Sequence, residues 1–464
     1  MLVIGLEGAT RELLLEDERL VTLRHLMGMG AWGELESVIP PASIPAWLCL
    51  ATGQDPGSLG IYGWRDRLGR AYREAGGRRP RPPRPAAVWD PPLQQGGTAV
   101  LVGVPPFCRP RATVGHGAHT VVSLGATRGT SGPEARQRPA GAADPGLDRT
   151  AATRPAGDDR IQDALTAAGH RRLETASQQL RQADWRYLQV VDPTLGRLQR
   201  AGEPSGGYVA QLDEAIGRLL AEVGDDTVVL VVSPYGRGRP EGRLALNDWL
   251  VAEGLLRLRR TTRAPGPLES ADVDWPATRA WAAGGVCGGI YLNVAGREPA
   301  GQIGRGEVAS WREEIGARLA AATDADGRPL DLVAERPEAL FRAVRGPAPD
   351  VIVRFRGLAG RFLAGVGHGR ALDRPARAAA GDVAAARGCF ILAAPHCRPA
   401  GALTGVHLLD VAPTLLELAG WAVPPSMPGH SLAGKLADGG PGGALSEDDE
   451  AQIRARLAGL GYIG

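Results

Sequence analysis

Histidine and cysteine, the side chains that most readily hold transition metals or serve as nucleophiles, are sparse and scattered through this chain of 464 residues. The five cysteines (Cys49, Cys108, Cys287, Cys389 and Cys397) are odd in number and include no C-x-x-C pair. They signal neither a disulfide framework nor a zinc site, and a reducing compartment suits them. Of the eight histidines, His116 and His119, with Gly115 and Gly117 beside them, have a spacing that could hold a metal, and His368 and His396 lie near strands of the C-terminal half. Each is more simply a solvated loop or packing residue. The glycine-rich phrases Gly284-Gly-Val-Cys-Gly-Gly289 and Gly236-Arg-Gly-Arg239 are too loose for phosphate-binding loops.

The elements that must position any chemistry are clearer. Apolar, β-branched runs recur at Leu2 to Ile4, Thr98 to Val104, Tyr187 to Val191, Thr227 to Val232, Val351 to Phe355 and Phe390 to Leu392. Amphipathic stretches separate them, such as Gln211 to Val223, where Leu212, Ile216, Leu219 and Leu220 share one helical face. Continuous apolar strands alternating with helices predict an α/β fold: a central, mostly parallel sheet with helices on both faces. Chemistry in such sheets gathers at the carboxyl ends of the strands.

The length allows one large core with an insertion, and the boundaries expected are 1–125 and 161–260 for the first parts of the α/β core, 261–350 for an inserted cap, and 351–436 for the rest of the core. Residues 126–160, poor in large apolar side chains, read as a low-complexity loop, and 437–464 as a linker with a terminal helix. Lys+Arg of 53 against Asp+Glu of 51 argues against a nucleic-acid binder. With no apolar run long enough to span a bilayer and no leader pattern after Met1, no membrane association and a cytoplasmic location are expected.

The phrases Leu2-Val-Ile-Gly-Leu-Glu-Gly-Ala9, Ile39-Pro-Pro-Ala-Ser-Ile-Pro-Ala-Trp47 and Ala51-Thr-Gly-Gln-Asp-Pro-Gly-Ser-Leu-Gly-Ile61 together resemble the opening of the type I phosphodiesterase/nucleotide pyrophosphatase family of the alkaline phosphatase superfamily. Further phrases carry the resemblance along nearly the whole chain: Leu246-Asn-Asp-Trp-Leu250, Gly296-Arg-Glu-Pro299, Ala348-Pro-Asp-Val-Ile-Val353, Asp410-Val-Ala-Pro-Thr-Leu-Leu416 and Arg456-Leu-Ala-Gly-Leu-Gly-Tyr462. The resemblance implies an alkaline-phosphatase-like sheet with a smaller cap. It also implies two divalent cations, usually zinc, that flank a phosphoryl group and activate a hydroxyl nucleophile.

Carried over residue by residue, that site is degraded. Glu7 stands where the resemblance implies an aspartate ligand, and Ser43 stands at the nucleophile position. Asp192, ending Tyr187-Leu-Gln-Val-Val-Asp192, matches a ligand aspartate, but the histidine expected four residues on is Gly196. Pro234 and Tyr235 replace the aspartate and histidine of a Ser-Asp-His-Gly phrase. The last histidine falls at or beside Val383, with Asp382 off register, and a further family histidine is Leu59. Proline offers no ligand, and a phenol with a pKa of about 10 is a poor one.

No metal is therefore assigned and no cofactor expected, although zinc would belong there if the family mechanism were retained. The expectation is a non-hydrolytic pseudoenzyme that binds a small anionic ligand or a protein partner. Ser43 and Tyr235 are its candidate reactive residues, and Glu7, Asp192, Arg237 and Arg239 its candidate ligand contacts, the two arginines as anion clamps. Two alternatives stand beside it: a metal-independent or single-metal transferase or hydrolase using Ser43, and a conventional metal-dependent phosphodiesterase or phosphatase.

Overall fold

The computed structural model describes residues 1–63, 67, 71–72, 86–105, 121–124, 159–182, 185–202, 205–238, 242–260, 262, 264–324, 326–358, 360–369, 372–373, 383–395 and 397–438. The expected loop at 126–158, the tail beyond 438, and His116, His119, Arg239, Asp382 and His396 lie outside them.

The expected central sheet is present and has nine strands among the described residues. Its core is β1 (Leu2–Leu6), flanked in parallel by β5 (Trp185–Asp192) and β6 (Val229–Ser233). Beyond β5 lie β3 (Thr98–Val102) and β4 (Val121–Leu124), also parallel. On the other side β16 (Arg387–Ala393) runs antiparallel to both β6 and β2 (Ala31–Glu36). Short β17 (Gly401–Ala402) and β18 (Val406–His407) pair with β2 and close that edge.

Alternation along each strand divides the interior into two layers, because successive side chains point to opposite faces. Val3, Tyr187, Val191, Leu230 and Val232 pack with α2 (Ser43–Thr52) in one layer. Leu2, Ile4, Leu6, Leu188 and Val190 pack in the other. That second layer holds α1 (Val21–Met29), α3 (Asp159–Gln182), α4 (Thr194–Ala201) and α5 (Gly206–Leu220). The helical face read from Leu212, Ile216 and Leu219 is the one buried there.

A third core belongs to a smaller antiparallel sheet in the order β11 (Leu332–Glu335), β12 (Val351–Phe355), β10 (Gly288–Leu292) and β9 (Ala280–Ala283). The helix α6 (Val308–Ala320) packs on it through Ile315 and Leu319. This core draws on residues from Leu244 to Val366 and so reaches past the expected 261–350 on both sides. Two strands outside the main sheet matter below: β7 (Gly236–Gly238) and β15 (Val383–Ala385), paired antiparallel with Arg237 opposite Ala384. Among the described residues no helix is long and apolar enough to cross a membrane.

Candidate functional site

Glu7 follows the last residue of β1, where the chain turns through Gly8 at φ 86°. Its amide donates to the Asp192 carbonyl at 3.0 Å, which ties the ends of β1 and β5 together. Its side chain rises into the layer that holds α2. Ser43 is the first residue of that helix, and Trp47 lies one turn on, so both face the same way. Both donate to one oxygen of Glu7: the Ser43 hydroxyl and, at 2.9 Å, the Trp47 indole N–H. A carboxylate facing the first turn of a helix whose N-cap, Ala42, has no capping side chain is favourably placed against the helix dipole. The close fit explains Gly5, where a Cβ would lie 2.2 Å from the Trp47 ring. Glu7 is left 6% exposed.

Tyr235 completes the cluster. Pro234 ends β6, and the chain then turns into β7, with the Ser233 hydroxyl accepting from Ala9 N–H at 3.1 Å and donating to the Tyr235 carbonyl at 2.9 Å. The ring is 2% exposed, and its hydroxyl meets Ser43. Burial above all, with the Glu7 carboxylate beside it, pushes the phenol far above its ordinary range; Arg237, Arg200 and the Ser43 contact pull it back only in part. In this setting Tyr235 is a neutral hydrogen-bonding group.

Tyr187 and Tyr208 are raised in the same way, chiefly by burial. A phenol whose folded pKa lies above its unfolded value holds its proton in the native state, so its contribution is intact below about pH 10 and is lost as pH rises beyond it. Three of the seven tyrosines should thus stay un-ionised in an alkaline absorbance titration until the chain unfolds. Reversible ionisation of all seven in the folded protein would contradict this.

Arg237, half-buried on β7, runs alongside the turn after β1. A Cβ on Gly8 would lie 3.2 Å from its Cδ, and one on Gly196 would lie 2.9 Å from its Nε and 2.8 Å from the Glu7 carbonyl. Gly196, at the start of α4, is where an imidazole was expected by resemblance; the space beside it is taken by a guanidinium side chain.

Asp192 is not gathered with these groups. Paired with Leu6, it shares the face that carries Leu188 and Val190, and both its oxygens are engaged there. One accepts from Arg172 of α3 at 3.1 Å and from Thr194 at 2.8 Å, the other from Tyr208 of α5 at 2.7 Å. With 1% of its side chain exposed, it is a buried, neutralised carboxylate that locks two helices to the end of β5. Arg172 and Tyr208 were not singled out in the sequence, nor was Trp47 as a partner of Glu7.

The donor set does not fit a zinc pair. Catalytic zinc takes three protein ligands. The cluster offers one carboxylate, already bound by Ser43 and Trp47, a neutral phenol and a guanidinium. Among the described residues no three His, Cys, Asp or Glu side chains converge to hold a metal ion. His368, described, lies elsewhere: its backbone N–H donates to Asp248 at 3.1 Å.

Residues 1–356 match the family model described as type I phosphodiesterase / nucleotide pyrophosphatase. No curated protein matches the sequence significantly. Among solved structures, phosphonoacetate hydrolase from Sinorhizobium meliloti 1021 in complex with phosphonoformate is similar at a TM-score of 0.55 and 15% identity, covering 90% of this chain and 95% of that one. Human ectonucleotide pyrophosphatase / phosphodiesterase 5 is similar at 0.54 and 12%, covering 95% and 99%. An inactive murine form of that enzyme in complex with AMP is similar at 0.55 and 11%, with the same coverage. At these identities the likeness is one of fold.

Proposed function

The chain belongs to the type I phosphodiesterase / nucleotide pyrophosphatase family of α/β proteins, and from that premise we propose that it is a non-hydrolytic member that binds a small anionic ligand, its positive charge supplied by arginine instead of metal. The observation that carries this reading is Arg237 packed against Gly8 and Gly196, beside a Glu7–Ser43–Tyr235 cluster closed by its own hydrogen bonds. A guanidinium is permanently charged, suits an oxyanion geometrically and needs no deprotonated ligand shell. The first turn of α2, whose N-cap Ala42 supplies no capping side chain, adds backbone N–H groups. Asp192, spent on Arg172 and Tyr208, and Glu7, spent on Ser43 and Trp47, serve the scaffold in this reading.

The test is metal content together with hydrolysis. Protein purified without chelator is expected to carry substoichiometric zinc and to leave bis-nitrophenyl phosphate intact. Inorganic phosphate should bind equally well with and without EDTA, and about ten-fold more weakly in Arg237→Gln, the loss of one charge-assisted contact. Two tightly held metal ions and chelator-sensitive hydrolysis would restore the conventional metal-dependent phosphodiesterase. One contact favours a second reading. The Ser43 hydroxyl donates directly to the Glu7 carboxylate, the arrangement of a nucleophile with its base, so metal-independent transfer through Ser43 is the alternative. It requires a chelator-resistant activity that Ser43→Ala abolishes.

A further inference from the structure

The cap core holds a concavity, none of whose lining residues belongs to the Ser43 cluster, with a volume of about 80 Å³. Aromatic rings form its walls. Trp281 and Tyr291 stack at 5.5 Å and 21°, and Tyr72 meets Trp281 edge-on at 5.0 Å. Tyr72 is itself held still: it stacks on Trp275 at 3.6 Å, donates to Asn293 at 2.7 Å and accepts from Ala300 N–H at 2.9 Å.

Arg67 lines the same cavity and is 5% exposed. Its guanidinium lies over both rings, its carbon 5.0 Å from the Trp281 centre and 5.6 Å from that of Tyr291. Nη1 pairs with Glu298 at 2.6 Å, and Nε donates to the Ala71 carbonyl at 2.9 Å. Nη2 is buried with no hydrogen-bond partner among the described residues. Burying a charged donor without an acceptor is costly, and an aromatic face offsets only part of that cost.

The local charge points the same way. Arg67 and Arg297 share the buried carboxylate of Glu298, and Arg297 and Arg312 share that of Asp350. Three arginines thus lean on two buried carboxylates. The remaining acid in the chain of contacts, Glu338, is half-exposed and reaches only Arg312, at 3.2 Å. Among the described residues, the Arg67 end of this network holds one acid, Glu298, and shares it with Arg297.

We propose that this cavity binds a small carboxylate, its charge set against the Arg67 guanidinium and its short carbon skeleton lying against Trp281 and Tyr291. A planar monoanion suits an aromatic-walled space of this volume. A dianion such as phosphate is disfavoured by the exposed carboxylate of Glu269, which also lines the cavity.

Acetate is the probe, titrated into the full chain and followed by saturation-transfer NMR and calorimetry. Acetate should bind saturably, and phosphate should displace it from this cavity with an affinity about three- to five-fold weaker, as one repulsive charge pair implies. Removing Arg67 could unfold the cap by stranding Glu298, so the deciding variant is Ala283→Leu. It fills the cavity from half-buried Ala283 at the end of β9 without touching an Arg67 bond. It should lose acetate binding about ten-fold or more while keeping the wild-type Tm. The proposal is overturned if the wild type shows no saturable acetate binding, or if Ala283→Leu binds acetate normally. It is equally overturned if phosphate displaces acetate from the cavity as readily as acetate itself binds there.

Discussion

Replacing Arg172 by Met should destabilise the protein by about 3–5 kcal/mol, the cost of leaving one partner of a buried ion pair behind. The carboxylate left behind is Asp192, with 1% of its side chain exposed and Arg172 as its ion-pair partner. Tyr208→Phe removes a 2.7 Å hydrogen bond to the other oxygen and should cost about 1–2 kcal/mol. Urea denaturation reads both, with the midpoint falling and the slope unchanged if the denatured state is unaffected. Because the three groups form one network, Asp192→Asn combined with Arg172→Met should cost much less than the sum of the single changes. A metal ligand would behave otherwise: zinc would raise the Tm of the wild type and not of Asp192→Asn. A loss below about 1 kcal/mol in Arg172→Met would also refute the assignment, since surface ion pairs are worth that little.

Asp192 shows how far residues can be read without a structure. Its strand was legible from the apolar run Tyr187 to Val191, and its place at a strand end followed from the parallel fold. Its face depended on register. Leu6 pairs with Asp192, so Glu7, one residue past Leu6, points to the opposite layer. Two strand-end carboxylates that look equivalent in the sequence are thus divided by the period of two. Trp47 was within reach of simple reasoning, being one helical turn from Ser43, but a helix does not say what carboxylate will lie above it. Other strands were found without their sheets: Phe390 to Leu392 pairs antiparallel in the main sheet, and Val351 to Phe355 belongs to the cap. Arg67 was beyond reach, because its partners Glu298, Trp281 and Tyr291 are more than two hundred positions away and only the folded cap brings them to it.

Gly196 tests the proposed arginine-based anion site most plainly. Placing a histidine there, the side chain that the family resemblance implies, should not recover a metal site. It should cost about 2–3 kcal/mol, as overpacking of a close contact does. The first added carbon would lie 2.8 Å from the Glu7 carbonyl and 2.9 Å from Arg237 Nε, both nearer than real Cβ atoms come. One obstacle is backbone and stays; the other is a side chain and can be removed. Gly196→Ala should therefore be destabilising in the wild type and less so in Arg237→Gly, a coupling of about 1 kcal/mol between residues far apart in sequence. Thermal melts of the four proteins measure it, and zinc titration of Gly196→His adds the decisive reading. If Gly196→His folds as stably as the wild type and binds zinc tightly, the glycine was not making room for Arg237 and the pocket remains built for metal. If the coupling appears and zinc does not bind, the glycine and the arginine are one substitution in two places: an imidazole withdrawn and a fixed positive charge moved into the space it would have filled.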